Sequence, residues 1–206
     1  QKIPDTNIDD IAQTIGLDPR IGNLFLDAGP GYGGSCLPKD MKAIINLSSK
    51  VGVKPTMLSA VEKTNKQQIN NIIELIKQNI GKIKGKKITV LGVAFKPNTD
   101  DIRDSMSIEL IRRLVKSGAI VQIHDPKALD NARKIFRDNI NYADSISSAL
   151  KNSQCAIIMT KWKEYERINN KTTKYMNKKF IIDTRRILSN KNLGVKYYGI
   201  GLGQKT

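Results

Sequence analysis

Lys87-Ile88-Thr89-Val90-Leu91-Gly92 opens the stretch that decides the fold, and Ile120-Val121-Gln122-Ile123-His124-Asp125-Pro126 closes it. The first run is short, β-rich and ends on glycine. The second is another apolar strand, stopped by an acidic residue and proline. Between them, residues 105–117 place Ile108, Leu110, Ile111, Leu114 and Val115 at helical spacing, and Gly118 ends the pattern. Strand, turn, helix, strand is a βαβ unit, and such units build parallel sheets. Downstream, the helical stretches 128–136 and 146–150 alternate with apolar runs at Cys155-Ala156-Ile157-Ile158-Met159, at Phe180-Ile181-Ile182 and at residues 195–198. The expected fold is therefore α/β, a Rossmann-like doubly wound parallel sheet.

Upstream of Lys87 the pattern is helical. Residues 5–16 carry Ile8, Ile11, Ala12 and Ile15, with Gly16 as a stop. Residues 38–51 place Met41, Ile44, Ile45 and Leu47 on one stripe, and Pro38 suits a first helical turn. The longest helix is expected over 55–80, with Leu58, Val61, Ile69, Ile72, Ile73 and Ile76 on its apolar stripe. That stripe lapses over 63–68, which predicts a kink or an exposed segment there. The basic, glycine-containing run 82–87 separates the two regimes. Two units are expected: a helical region over 1–84 and a Rossmann-like domain over 85–206.

The formal net charge is +16. Such a balance raises the question of nucleic acid. The lysines are scattered, however, aromatic residues make up only 5%, and no aromatic–basic interleaving offers a stacking platform. A lysine-rich solvated surface is the expected meaning. No apolar run reaches the ~18 residues that span a bilayer. The start lacks both a secretory pattern and an initiator Met. A cytoplasmic protein that begins partway through a larger one is expected.

Two cysteines, Cys36 and Cys155, and one histidine, His124, cannot supply the about four ligands of a structural zinc site. Cys155 begins an apolar strand and reads as core. Cys36 has a different setting. It follows Asp27-Ala28-Gly29-Pro30-Gly31-Tyr32-Gly33-Gly34-Ser35 and precedes a helix. Free amides and the dipole at a helix N-terminus stabilise negative charge, which favours a reactive thiolate. Lys39 adds a positive charge, and Asp40 lies one turn along on the same face, where it could orient water. Read on local chemistry alone, Cys36 is either a nucleophile or a small buried thiol in a tight turn.

Residues 29–40, Gly-Pro-Gly-Tyr-Gly-Gly-Ser-Cys-Leu-Pro-Lys-Asp, closely resemble the active-site motif of the UDP-glucose/GDP-mannose dehydrogenases. Residues 92–105, Gly-Val-Ala-Phe-Lys-Pro-Asn-Thr-Asp-Asp-Ile-Arg-Asp-Ser, resemble that family's hallmark in its C-terminal domain. Asp18-Pro19-Arg20-Ile21-Gly22-Asn23, His124-Asp125-Pro126 and Asp183-Thr184-Arg185 match in order and spacing. The resemblance implies oxidation of a sugar C6 alcohol to a carboxylate with two NAD⁺, through a thiohemiacetal and a thioester on the cysteine. Cys36 takes the nucleophile's place and Asp40 that of a water-activating aspartate. Phe25, Leu26, Asp27, Gly31, Tyr32 and Gly33 match the segment that cradles the nucleotide sugar. Phe95, Lys96 and Arg185 match substrate contacts, with Arg186 a weaker candidate. Arg20 matches an arginine that enters the partner subunit's site, so a homodimer built on the long helix is implied. Lys39 and Arg103 match the cofactor side, Arg103 reaching the NAD pyrophosphate.

The stretch 87–125 looks like half of a dinucleotide site but lacks G-x-G-x-x-G, having only Gly92 at its turn. The resemblance assigns this domain to the UDP-sugar instead. The family's dinucleotide fingerprint and its catalytic lysine and asparagine do not occur in the sequence. The chain alone is therefore expected not to turn over. The Gly-Gly-Ser-Cys form favours UDP-glucose, with GDP-mannose next, over N-acetylated sugars. Two other classes compete: a non-catalytic nucleotide-sugar-binding module, and a nucleic-acid-binding protein whose affinity would collapse with salt.

Overall fold

A computed structural model describes residues 2–188 and 192–203. Six strands form one sheet: β1 (Lys87–Leu91), β2 (Ile120–His124), β3 (Asn141–Tyr142), β4 (Cys155–Ile158), β5 (Phe180–Asp183) and β6 (Lys196–Gly199). Their order is β3-β2-β1-β4-β5-β6 and every pairing is parallel. This is the doubly wound arrangement expected from the βαβ grammar. The order reverses beside β1, so a crevice opens at the C-terminal ends of β1 and β4. The loops after Leu91 and Ile158 lie at that crevice.

The strands are apolar because they are covered. Ile88, Val90, Leu91, Ile123, Ile157, Ile158, Ile181 and Ile182 are all fully buried. Helix α4 (Met106–Lys116) starts at Ser105, whose side chain accepts from the Ser107 amide and so caps the helix. Leu110, Ile111 and Leu114 form its buried stripe. α5 (Leu129–Phe136) and α7 (Asn170–Thr173) complete the connections with α6 (Ile146–Leu150). The Thr89 hydroxyl donates to the Ala149 carbonyl at 2.7 Å and the Gln122 amide to the Ser148 carbonyl at 2.8 Å. These bonds satisfy two polar side chains inside an apolar sheet and fix α6 against it.

Three helices precede the sheet: α1 (Ile8–Gly16), α2 (Leu37–Lys50) and α3 (Thr56–Ile80). α3 continues as one helix through residues 63–68, and most of that segment is exposed. Its C-terminal half buries Ile69, Ile72, Ile73, Ile76 and Ile80 in the same core as the sheet. Its N-terminal half leaves Met57 and Val61 exposed, and α2 buries no residue at all. α1 is stitched to the far end of the chain. The Ile8 amide donates to the Gly201 carbonyl, and Asn7 bridges to Leu202. The buried Arg186 side chain reaches Asn7 at 2.6 Å and Asp9 at 2.9 Å. Arg186 is thus committed to α1, which sets it apart from Arg185. No helix among the described residues is long and apolar enough to cross a membrane.

Candidate active site

The glycine-rich loop lies across the crevice. A side chain at Gly33 would place a Cβ 2.4 Å from the Asp104 carbonyl oxygen, and one at Gly34 would meet the Phe95 ring at 2.7 Å. Gly31 and Gly34 also have positive φ, 108° and 91°. Glycine is required here by the close approach of the loop to the segment after β1.

The opposite wall is α3. The Asn65 carboxamide accepts from the Tyr32 amide at 2.8 Å and donates to the Tyr32 carbonyl at 3.0 Å. This two-bond clamp pins the middle of the glycine loop. We expect Asn65→Ala to strand both half-buried backbone groups and to cost about 1–3 kcal/mol locally. Amide exchange at Tyr32 should accelerate by roughly tenfold or more; an unchanged rate would remove Asn65 from this role.

The groove so formed encloses about 840 Å³. Phe25, Asp27, Gly31, Tyr32, Gly33, Phe95, Lys96 and Arg185 all line it, so eight of the expected substrate-facing residues meet in one place. Leu26 is half-buried behind the loop and does not line it. Phe25 is 97% exposed with φ 64°, a strained setting for an aromatic residue at the rim. Thr64, Asn65 and Gln68 of α3 also face the groove, which explains the polar lapse in the α3 stripe.

Each side of the crevice has a buried carboxylate beneath it. Asp125 Oδ2 accepts from the Val93 and Ala94 amides at 2.6 and 3.0 Å and from Trp162 Nε1 at 3.1 Å. Its Oδ1 accepts from the Lys127 and Ala128 amides. The Thr160 hydroxyl donates to the Ala94 carbonyl at 2.6 Å. These bonds hold the backbone that presents Phe95 and Lys96. Asp183 accepts from the Arg185 and Leu188 amides and from the Tyr197 hydroxyl. Burial raises the Asp183 carboxyl above the usual range, although those donors oppose the shift. Arg185 Nε donates to the Met159 carbonyl at 2.8 Å. Burial lowers its guanidinium from the ordinary value, and nearby Asp27 and Asp183 offset this.

Cys36 is the residue that leads into α2, and its thiol is exposed. Its carbonyl accepts from the Asp40 amide at 2.9 Å, and the Ser35 hydroxyl lies 3.7 Å from its sulfur. Pro38 sits in the first helical turn, where it needs no donor. Lys39 and Asp40 are exposed on that turn and pair with each other at 3.5 Å. Cys155 is wholly buried, and burial pushes its thiol far up. The two cysteines thus differ in exposure, Cys36 open to solvent and Cys155 in the core.

Two arginines lie outside the groove. Arg103 forks onto Asp101, which raises its guanidinium, with a smaller contribution from the nearby Cys36. It lines a second cavity of about 400 Å³ that shares Tyr32 and Asn65 with the groove. Arg20 forks onto its own neighbour Asp18 and is 87% exposed, so within one chain it does not reach the groove. A dinucleotide does not fit the turn after β1. The Val93 and Ala94 amides that would hold its phosphates already donate to Asp125, and the Phe95 ring packs on Gly34. Neither Lys39 nor Arg103 lines the groove; both are exposed and each pairs with a neighbouring carboxylate, Asp40 and Asp101.

The molecule is thus a doubly wound α/β protein that presents a glycine-loop groove at its switch point and an exposed thiol at the edge of that loop. It belongs to the UDP-glucose/GDP-mannose dehydrogenase family. The family's central domain matches residues 2–67 and its UDP binding domain matches residues 89–190. The chain is 41% identical over 202 residues to the UDP-glucose 6-dehydrogenase of Rickettsia felis, covering 95% of this chain and 45% of that one. It is 42% identical over 188 residues to that of Haloferax volcanii, covering 91% and 43%. A solved UDP-glucose dehydrogenase from Pyrobaculum islandicum superposes with a TM-score of 0.87 at 32% identity, over 96% of this chain and 44% of that one. The chain spans about half the length of the curated relatives it matches.

Proposed function

We propose that this chain is the substrate-facing part of a nucleotide-sugar 6-dehydrogenase that oxidises UDP-glucose to UDP-glucuronate. The observation that carries the reading is the groove itself. Glycine loop, Phe95, Lys96 and Arg185 converge on one space, and the exposed Cys36 stands at the end of the loop. Tyr32, Phe25 and Phe95 offer aromatic surface for a base, while Lys96 and Arg185 offer cations for phosphates.

NAD⁺, when bound, accepts hydride from the sugar C6. Lys39 and Arg103 would face its anionic portion. The rest of the chemistry belongs to the chain. Cys36 Sγ adds to the C6 aldehyde, and the aldehyde oxygen takes a proton, giving a thiohemiacetal. Loss of hydride and of that proton leaves a thioester. Water, oriented by Asp40, adds to the thioester carbonyl, and the tetrahedral adduct expels Cys36 as thiolate and releases the carboxylate. Division of the chain at residue 84 assigns helices to the first unit and the UDP-sugar sheet to the second. The exposed apolar residues Met57 and Val61 support a homodimer built on the long helix α3. In that dimer Arg20 serves the partner's site. We assign the +16 charge to a solvated surface and the protein to the cytoplasm. Alone, the chain does not reduce NAD⁺.

The test is calorimetric titration of the purified chain. UDP-glucose is expected to bind with Kd of about 10⁻⁴ M and GDP-mannose at least about tenfold more weakly. Binding of neither sugar nucleotide at roughly millimolar concentration would sink the reading. Tighter binding of GDP-mannose would transfer it to the runner-up substrate.

A further inference from the structure

Lys161 stands where no sequence motif pointed. It occupies the loop after β4, between Thr160 and Trp162, which are 1% and 2% exposed. Both neighbours are fixed from below: the Thr160 hydroxyl to the Ala94 carbonyl, and the Trp162 indole to Asp125. The Trp162 amide donates to the Thr160 carbonyl at 2.9 Å, closing a tight turn with Lys161 at its tip. An ordinary surface lysine swings on a mobile stem. This one rises from a rigid, buried base, and its ammonium lies 3.7 Å from Asp27 Oδ2 across the mouth of the groove.

The pair does not serve stability. Asp27 is 87% exposed and Lys161 59%, and water screens an ion pair this exposed almost completely. Nor does a chain of net charge +16 need another lysine for solubility. What the pair does is close a small recess of about 180 Å³ beside the main groove. Lys96, Lys161 and Arg185 surround it, and Asp27 is its acidic member. Three cations and one carboxylate leave a net of two positive charges. A diphosphate diester carries two negative charges. The recess adjoins the groove, sharing Asp27, Phe95, Lys96 and Arg185 with it, so one ligand can fill both.

We propose that Lys161 is a further ligand-binding residue, which exchanges Asp27 for the diphosphate of the bound sugar nucleotide. The inference rests on the reading that the groove holds a sugar nucleotide, but its charge argument applies to any diphosphate. Asp27 acts as a placeholder in the free protein and holds the lysine over the recess. The incoming diphosphate offers two anionic groups where Asp27 offers one, and charge-assisted bonds to three cations replace one long pair.

The experiment titrates UDP-glucose, inorganic pyrophosphate and uridine into the whole chain and into Lys161→Gln and Lys161→Arg. Lys161→Gln is expected to weaken UDP-glucose and pyrophosphate about tenfold and to leave uridine unchanged, while Lys161→Arg stays within roughly threefold of the parent. Asp27→Asn should tighten pyrophosphate, because it removes the competing anion. Lys161 has an exposed side chain, so these variants keep the fold; thermal melts check it. Pyrophosphate binding that is equal in the parent and Lys161→Gln overturns the proposal, as does equal loss of uridine. If the parent binds pyrophosphate in a Lys161-dependent way but ignores UDP-glucose, the sugar-nucleotide reading fails and the diphosphate recess stands. If the parent does not bind pyrophosphate, the recess is refuted whatever UDP-glucose does.

Discussion

Cys36→Ala is expected to lower NADH formation from UDP-glucose by about a thousandfold or more, because on the proposed reading it removes the thiol that carries the sugar as a thioester. The measurement needs a dinucleotide-binding partner. A chimera serves, in which this chain replaces the matching part of the Rickettsia felis UDP-glucose 6-dehydrogenase, 41% identical to it. The geometry makes the expectation specific. The thiol is exposed beside the glycine loop, and its side chain caps no amide of α2. Its sulfur lies 3.7 Å from the Ser35 hydroxyl and within electrostatic reach of Arg103. The substitution should therefore leave folding and UDP-glucose binding nearly unchanged while turnover collapses. Activity within about tenfold of the parent chimera would remove Cys36 as the nucleophile. Cys155→Ala is the contrasting control. It opens a small gap in a fully buried strand, so it should affect melting and not chemistry.

The second large effect is on stability. Asp125→Ala is expected to destabilise the chain by about 3–5 kcal/mol and to lower its melting temperature by roughly 10 °C or more. Five donors converge on this one buried carboxylate: four backbone amides and the Trp162 indole. Removing it strands them all, and buried donors without partners are costly. Asp125→Asn keeps the size but turns one acceptor into a donor, so it should recover only part of the loss. Trp162 is the only tryptophan in the chain, so its emission reports on this site directly. A variant that melts within about 2 °C of the parent, with unchanged emission, would show that water replaces the carboxylate.

Much of this was legible in the sequence for reasons that can be named. β1, β2, β4 and β5 declare themselves because a strand covered on both faces is mostly apolar, with Thr89, Gln122, His124 and Asp183 as buried polar exceptions. β3 does not, because Asn141 and Tyr142 are two polar-tipped residues at the sheet edge with no pattern to read. The glycine loop was visible, because glycines crowd only where backbone must pass close to something. What it passes close to was hidden: Phe95 and Asp104 lie far along the chain from Gly33 and Gly34. Asn65 looked like one more polar residue on an exposed helical face. Its clamp on Tyr32 spans 33 positions, and no local rule connects them. Local sequence rules do not separate Arg185 from Arg186, and only the family resemblance favoured Arg185; in the fold Arg185 lines the groove and Arg186 is spent on Asn7 and Asp9. A positive φ of 57° at Arg186 turns the chain between them.

Helix α3 has a consequence of a mechanical kind. With 25 residues it is about 37 Å long, and only its C-terminal part is cemented into the core. The rest has α2 packed beside it and leaves Met57 and Val61 exposed. Asn65 sits near the point of support, and Met57 and Val61 lie one to two turns further out. Any surface that grips the free end therefore has a stiff arm running to the clamp on the glycine loop. A load applied there would be delivered to Tyr32 with little slack, so the posture of the sugar cradle is geared to whatever the beam carries.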